Sequence, residues 1–466
     1  MPKSQSSIGN AIFLLTSAVL LAFGLACFAI CCYRASLPFE IDTNEAWNAW
    51  WSKSLDHLYP SKDDLVANNY PPLSFYLVRL VSLAGPDPLY AGRIISIIAF
   101  IALSVIAFSG IRVLGGGRPG AAFGAIWLFA TFNVAFMGYV GMNDPQPIAL
   151  AVMAGGFVWF VRRLQAGKAV EPAVLVMVAA GFFKHNMAAI PLSALIWLAM
   201  ENPKPALPKR ALRAAGVGLL AAGAGLLACY AYYGHNFIDQ LMFARALNLE
   251  NVLAGRHVSY SLLAALAPVL LWLGFDWKNR VARKMAVLVA LTSVSGIVQR
   301  TGDGVDINAY FEFVFALALG LGLAFGEMPE LAGPLKRRMA AARPAFALLL
   351  LPMLALCFPK EAISKIRSGA FRTEIAENTK TLQREIKRVR PMPEKTSCTI
   401  MLVCYWAGKP FVWDGFALKQ RVVTGKWPQT ELSRRAQASG IRFVKTADGT
   451  EWCDVWPCPA TIRAEP

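Results

Sequence analysis

The sequence predicts an α-helical membrane protein of about eleven spans with a small α/β domain at its C-terminal end. Of its 466 residues, 56% are hydrophobic and only 16% charged. The apolar residues stand in long uncharged blocks rather than in helical stripes. A third observation concerns the tail: Cys398, Cys404, Cys453 and Cys458 all fall in its polar sequence, and an even set there predicts disulfides in an oxidising compartment.

The first block, Ala11 to Tyr33, has no charge and matches the roughly 20 residues that cross a ~30 Å hydrocarbon core. It is longer than the apolar region of a signal peptide, and Gly24-Leu25-Ala26 before Cys27 makes a poor lipoprotein signal, so it reads as an uncleaved span. Further spans are read at about 93–110, 120–140, 146–161, 214–233, 259–275, 284–299, 309–326 and 344–358. Cys27, Cys31, Cys32, Cys229 and Cys357 lie in or beside these blocks, as small packing residues do. The stretch from Pro172 to Met200 decides the parity. As one helix it carries Lys184 mid-span and separates Arg162, Arg163 and Lys168 from Lys204, Lys209, Arg210 and Arg213. Short basic loops share the cytoplasmic side, so a hairpin turning at Lys184-His185-Asn186 is expected, and the count becomes eleven.

With the N-terminus cytoplasmic, both basic groups join Arg112, Arg118, Lys278, Arg280, Arg283, Lys284, Lys336, Arg337, Arg338 and Arg343 on the inner side. The short outer loops hold only Lys184, Arg245, Arg256 and Arg300. An odd count exports the tail from Pro359, where its cysteines need it to be. The expected division is a transmembrane part over 1–358, with a first outer loop at about 34–92, and a periplasmic α/β domain over 359–466. In that domain 361–390 reads as an amphipathic helix (Ile363, Ile366, Ile375, Leu382, Ile386), and Thr399 to Val403 and Phe411 to Trp413 read as strands. The hairpin arms, Pro172–Phe183 and Met187–Met200, extend only about 18 and 21 Å. Lys184 is therefore expected below the outer surface, where a charge is tolerated only in a cavity or buried in protein.

On this topology the polar clusters converge at the outer face: Asp42-Thr-Asn-Glu45, Tyr70-Pro-Pro72, Asn143-Asp-Pro-Gln146, Lys184-His-Asn186 and Gly302-Asp-Gly-Val-Asp306-Ile-Asn308. Several carboxylates around a recessed cation suit a reaction on a lipid-linked phosphate. The order and placement of Asp42-Thr-Asn-Glu45-Ala-Trp47, Asn69-Tyr-Pro-Pro72-Leu, Asn143-Asp144 and Gly302-x-Gly-x-Asp306-x-Asn308-Ala-Tyr310-x-Glu312 resemble the GT-C membrane glycosyltransferases over residues 10–330. The resemblance is to bacterial members related to protein mannosyltransferases and the lipid A aminoarabinose transferase. It implies inverting transfer of a sugar from a polyprenyl-phosphate carrier to a glycan, glycolipid or protein acceptor at the outer face of the bacterial inner membrane. The family's first-loop acids are adjacent; here Thr43 and Asn44 separate Asp42 from Glu45, which leaves open which is the base.

Such a transfer needs a carboxylate to take the acceptor's proton. Asp42 is the candidate, with Glu45 one turn on, and Asp42 equally fits the N-cap of a helix whose Trp47, Trp50 and Trp51 anchor in the headgroups. The departing phosphate needs cations or N–H donors; Lys184 and His185 are candidates, with Arg256 and Arg300 as helpers. Asp144 fits sugar positioning, a divalent metal or an N-cap before Pro145. Asp306 and Asn308 fit substrate positioning or capping, and Tyr70-Pro-Pro72 shapes a loop that fits a carrier groove. No cofactor is otherwise implied.

The net charge of +17 does not mark a nucleic-acid protein, because Lys and Arg are spread among short loops and the tail, with no basic stripe among stacking aromatics. A secondary transporter shares intramembrane charges and a broken helix, but is expected to show internal repeats and a midplane site. A non-catalytic assembly subunit with the same fold is separated from an enzyme by replacing Asp42.

Overall fold

Each of the eleven apolar blocks is helical in the computed structural model, which describes residues 3–201, 209–253, 256–327, 334–357 and 365–451. The helices are α1 (Lys3–Ala35), α2 (Thr43–Lys53), α3 (Leu73–Ser82), α4 (Pro88–Val113), α5 (Arg118–Ala135), α6 (Pro145–Gln165), α7 (Glu171–Gly181) and α8 (Ala189–Met200). They continue with α9 (Lys209–Tyr233), α10 (His235–Leu241), α11 (Glu250–Leu253), α12 (Arg256–Phe275), α13 (Arg280–Arg300), α14 (Phe311–Glu327) and α15 (Pro334–Cys357). Among the described residues seven helices are long and apolar enough to cross a membrane by themselves.

The bundle is built around α14, whose residues from Phe311 to Phe325 are all buried. Small residues allow its closest neighbour in: a Cβ at Gly120 of α5 would lie 2.2 Å from the Gly322 carbonyl of α14. Backbones that approach so closely need glycine on the facing turns.

At 11 and 12 residues, α7 and α8 extend only about 17–18 Å each. The chain reverses between them. Glu171 at the start of α7 pairs with Arg213 near the start of α9, while Glu201 after α8 pairs with Lys284 near the start of α13. Between these ends, the Lys184–Asn186 turn meets Gln299 at the far end of α13. The ends of α4 and α6 and the start of α9 gather at the end opposite that turn: Gln165 Nε2 donates to the Val113 carbonyl and Arg210 to the Lys168 carbonyl, at 2.7 and 2.9 Å.

The block expected as a span over 120–140 ends as helix at Ala135. Residues 136–143 form a turn despite their apolar sequence. Buried Arg34 holds it by donating to the carbonyls of Met137 and Val140 at 2.7 and 2.5 Å, and Gly141 supplies a left-handed φ of 75°.

The C-terminal part is α/β in content but differs in detail from the expected strands. A helix over Ala370–Val389 buries Ile375 and Leu382. The strands are β1 (Thr396–Cys398) and β2 (Arg442–Val444), paired in parallel. Thr399 to Val403, expected as strand, instead run into a helix over Met401–Trp406, because the Cys398–Cys404 disulfide, with Cα atoms 5.6 Å apart, folds the chain back immediately after β1. Phe411 to Trp413 run without regular structure because they serve as packing: Phe411 stacks on Trp50 at 5.1 Å. Cys453 and Cys458 lie outside the described residues.

This C-terminal part rests on the loops after α1 and α13. Leu402 N–H donates to Glu40 at 2.6 Å, Trp406 Nε1 to the Pro38 carbonyl at 3.1 Å, and Gln420 Nε2 to Asp303 at 2.6 Å. The Trp residues of α2 are accordingly held in protein rather than left for headgroups: Trp47 and Trp51 are buried, and Trp50 lies between Tyr405 and Phe411.

Candidate active-site cavity

The loops at one end of the bundle and the C-terminal part line a cavity of about 680 Å³. Asp42, Tyr70, Asp144 and Lys184 line it, together with His185, Arg300, Asp306 and Asn308. Eight candidates scattered over more than 250 residues of chain thus reach one space. Glu45 does not join them, being fully buried beside the cavity in an ion pair with Arg93. Arg256 opens α12, and its side chain lies outside the described residues.

Asp42 precedes α2 and accepts from Asn44 N–H at 2.9 Å, so it is an N-cap. Its cap bond occupies Oδ1, and the residue stays half-exposed to the cavity. Burial in the cavity pushes its carboxyl up to about 7, with the Asn44 N–H opposing and the carboxylates of Asp306 and Asp144 adding to the rise. Asp144 likewise caps α6, accepting from Gln146 N–H at 2.7 Å with Pro145 in the first turn. Capping and cavity lining are both satisfied by the same side chains.

Lys184 is buried in the turn after α7. Its Nζ lies 3.4 Å from Asp144 Oδ1, 3.5 Å from the Tyr70 hydroxyl and 4.7 Å from the Tyr70 ring centroid. These contacts are long beside the roughly 2.7–2.9 Å of a tight charge-assisted bond. The turn itself is firmly held: Asn186 exchanges two hydrogen bonds with Gln299, at 2.5 and 3.1 Å, and Ile190 N–H donates to buried Glu312 at 3.1 Å. Leu73 N–H donates to the Phe182 carbonyl at 3.1 Å, which ties the Tyr70-Pro-Pro loop to the same turn.

Asp306 accepts from the Tyr139 hydroxyl at 2.9 Å and lies 3.7 Å from Arg300 Nη1. Desolvation raises its carboxyl above the ordinary range, against the hydrogen bonds from Ile307 N–H and Tyr139. Arg300 also donates to the carbonyls of Val305 and Asn251, so it staples the Gly302–Asn308 loop to α11.

Sequence reasoning missed several wall residues. Tyr139 was hidden because its segment is apolar enough to read as span. Asp414 and Phe416 come from the C-terminal part, which the sequence did not connect with the site. Asp414 caps the helix Gly415–Val423 by accepting from Ala417 N–H at 2.8 Å, and burial pushes its carboxyl up to about 6. Arg245 was read as a loop cation; it lines the cavity with its guanidinium 5.3 Å from the Phe416 ring centroid. Among the described residues no group of three His, Cys, Asp or Glu side chains is arranged to hold a metal ion.

No family model and no curated protein matches this sequence. Its structure is similar to that of ArnT from Cupriavidus metallidurans in the apo state, with a TM-score of 0.56 at 10% identity, over 92% of this chain and 93% of that one. ArnT from the same organism bound to undecaprenyl phosphate gives a TM-score of 0.50 at 12% identity, over 95% and 84%. Likeness at such identity shows the fold alone, and the fold is the polytopic helical one of these two ArnT structures.

Proposed function

We propose that the chain is an inverting glycosyltransferase. It moves a sugar from a polyprenyl-phosphate carrier to a glycan, glycolipid or protein acceptor, at the periplasmic face of the bacterial inner membrane. The observation that carries this reading is Lys184: a buried cation, loosely paired, on the wall of a cavity that also presents the half-exposed carboxylate of Asp42. A buried charge held so loosely is suited to exchanging its partner, and a phosphate monoanion offers more acceptor oxygens than Asp144 does. The ArnT structure that holds undecaprenyl phosphate has the same fold, which agrees with a lipid phosphate as the ligand.

In the proposed step the acceptor oxygen or nitrogen attacks the anomeric carbon from the face opposite the phosphate. Its proton passes to Asp42. The bond from the anomeric carbon to the phosphate oxygen breaks, its electron pair leaves with the polyprenyl phosphate, and Lys184 stabilises the charge that develops there. Asp144, released from Lys184, and Asp306, fixed by Tyr139 and Arg300, orient sugar hydroxyls. The basic loops at the opposite end of the bundle agree with an outward-facing cavity.

The test uses purified protein in nanodiscs, a panel of undecaprenyl-phosphate donors carrying radiolabelled hexoses or pentoses, and an extract of envelope glycolipids, glycans and proteins as acceptor. Transfer of label from one donor, abolished by Asp42→Asn, is expected. If no donor transfers label and undecaprenyl phosphate does not bind, the reading fails.

A further inference from the structure

We infer that the buried Glu45–Arg93 pair is a positioning device that fixes Asp42 and Asp144 relative to each other. Glu45 then acts through those two carboxylates and not on substrate. The inference rests on the glycosyl-transfer reading of the cavity and adds two positioning residues to it.

The geometry is a four-way junction at one carboxylate. Oε1 of Glu45 accepts from Arg93 Nε and from Asn143 N–H, both at 2.9 Å. Oε2 accepts from Arg93 Nη2 at 2.7 Å and from Ile41 N–H at 3.0 Å. Ile41 immediately precedes Asp42, and Asn143 immediately precedes Asp144. One side chain therefore grips the backbone beside both cavity carboxylates, one in the first outer loop and one about a hundred residues later. Arg93 completes the grip by donating to the carbonyls of Leu37 and Phe39, at 2.5 and 2.7 Å, along the approach to Asp42.

The neighbours reinforce the Asp144 side. Asn48 Nδ2 donates to the Asn143 carbonyl at 2.9 Å, and Asn143 Nδ2 to the Glu45 carbonyl at 3.3 Å. Asn143 also lies directly on the backbone of α4: a Cβ at Gly92 would sit 1.8 Å from its Oδ1. Both members of the pair are almost fully buried. Taking an ion pair out of water costs more than it returns unless every lone pair and proton is used, and here the two backbone N–H groups complete a carboxylate that the Arg93 fork already holds. The arrangement repays that cost as geometry, since a displacement of ~1 Å at reacting groups costs about a hundredfold in rate.

Glutamine at position 45 keeps the volume but replaces one oxygen by an amide N–H₂, which cannot accept from the backbone. One tether, to Ile41 or to Asn143, is lost. Lysine at position 93 loses the fork.

The test measures wild type, Glu45→Gln, Arg93→Lys and the double variant, in nanodiscs, with the undecaprenyl-phosphate donor that the wild type turns over. Each single variant is expected to lose roughly 10–100-fold in kcat while undecaprenyl phosphate binds within about twofold of wild type. The double variant is expected to be no worse than the poorer single, because the two residues act as one unit. The acid limb of the kcat–pH profile should survive in Glu45→Gln, since Asp42 remains the base. Wild-type kcat in either variant, multiplicative losses in the double, or disappearance of the acid limb in Glu45→Gln would each overturn the inference; the last would make Glu45 the base. Failure of both variants to give monodisperse, folded protein would also overturn it, leaving the pair a scaffold contact. If the wild type turns over no donor, the glycosyl-transfer reading fails first, and the pair is judged by structure. The Glu45→Gln protein should then show the Asp42 or Asp144 carboxylate displaced by ~1 Å with the Lys184 turn unmoved, and unmoved carboxylates overturn the inference.

Discussion

Two buried ion pairs stand close together at the cavity end of the bundle, and they are built differently. Glu45–Arg93 is bidentate, at 2.7 and 2.9 Å, with the remaining lone pairs of the carboxylate taken by backbone N–H groups. Lys184–Asp144 is a single contact of 3.4 Å, on the wall of the cavity. The first pair has nothing left to offer a ligand; the second holds a cation that a phosphate can claim. Burial is alike in the two pairs; the number of partners already satisfied is not.

Breaking the closed pair should have the largest effect. Arg93→Met leaves Glu45 buried and uncompensated, and is expected to cost about 3–5 kcal/mol of stability, read as a lowered thermal unfolding midpoint in detergent. A change below about 1 kcal/mol would show that the pair is not held as described.

Next in size is Asp42→Asn, which keeps the α2 cap because Asn caps about as well as Asp but removes the proton acceptor. Turnover is expected to fall by at least about a hundredfold, with the unfolding midpoint unchanged. Full activity would pass the base role to another residue.

Replacing Cys398 and Cys404 by Ser removes the staple after β1 and should cost about 2 kcal/mol for so short a loop. It should leave Lys184 and its carrier affinity untouched. Thiol counting under denaturing, non-reducing conditions should find both cysteines blocked in the wild type.

A further prediction concerns pH. Asp42, raised from 3.8 to about 7, binds its proton more tightly in the folded than in the unfolded chain. Between about pH 4 and 7 the folded state holds the extra proton, so the contribution of this group to stability falls as pH rises. Activity runs the other way, because the base must be ionised: turnover should climb about tenfold per pH unit below 7 and level off above it. A flat profile across pH 5–8 would contradict that role.

Most of the helical frame was legible, because spans are written as uncharged blocks and the short arms around Lys184 announce a break. The convergence of Asp42, Asp144, Lys184 and Asp306 was legible too, since each is a polar cluster at a block boundary. What the sequence concealed were long-range bonds. Glu45 looks like a second candidate base until Arg93, 48 residues on, occupies it. Tyr139 lies in a segment as apolar as a span, and only the Arg34 donations to its carbonyls reveal a loop. The Asp414 wall depends on docking between domains, such as the bond from Asp414 N–H to the Leu65 carbonyl at 2.8 Å. The strand expected over Thr399 to Val403 failed because local β propensity yields to a six-residue disulfide loop.

The most direct measurement is undecaprenyl phosphate binding to the wild type, Lys184→Met and Asp42→Asn in nanodiscs. Wild type and Asp42→Asn should bind alike, while Lys184→Met should weaken binding by at least about tenfold, as loss of a charge-assisted bond to phosphate requires. Equal binding by all three would contradict a phosphate site at Lys184.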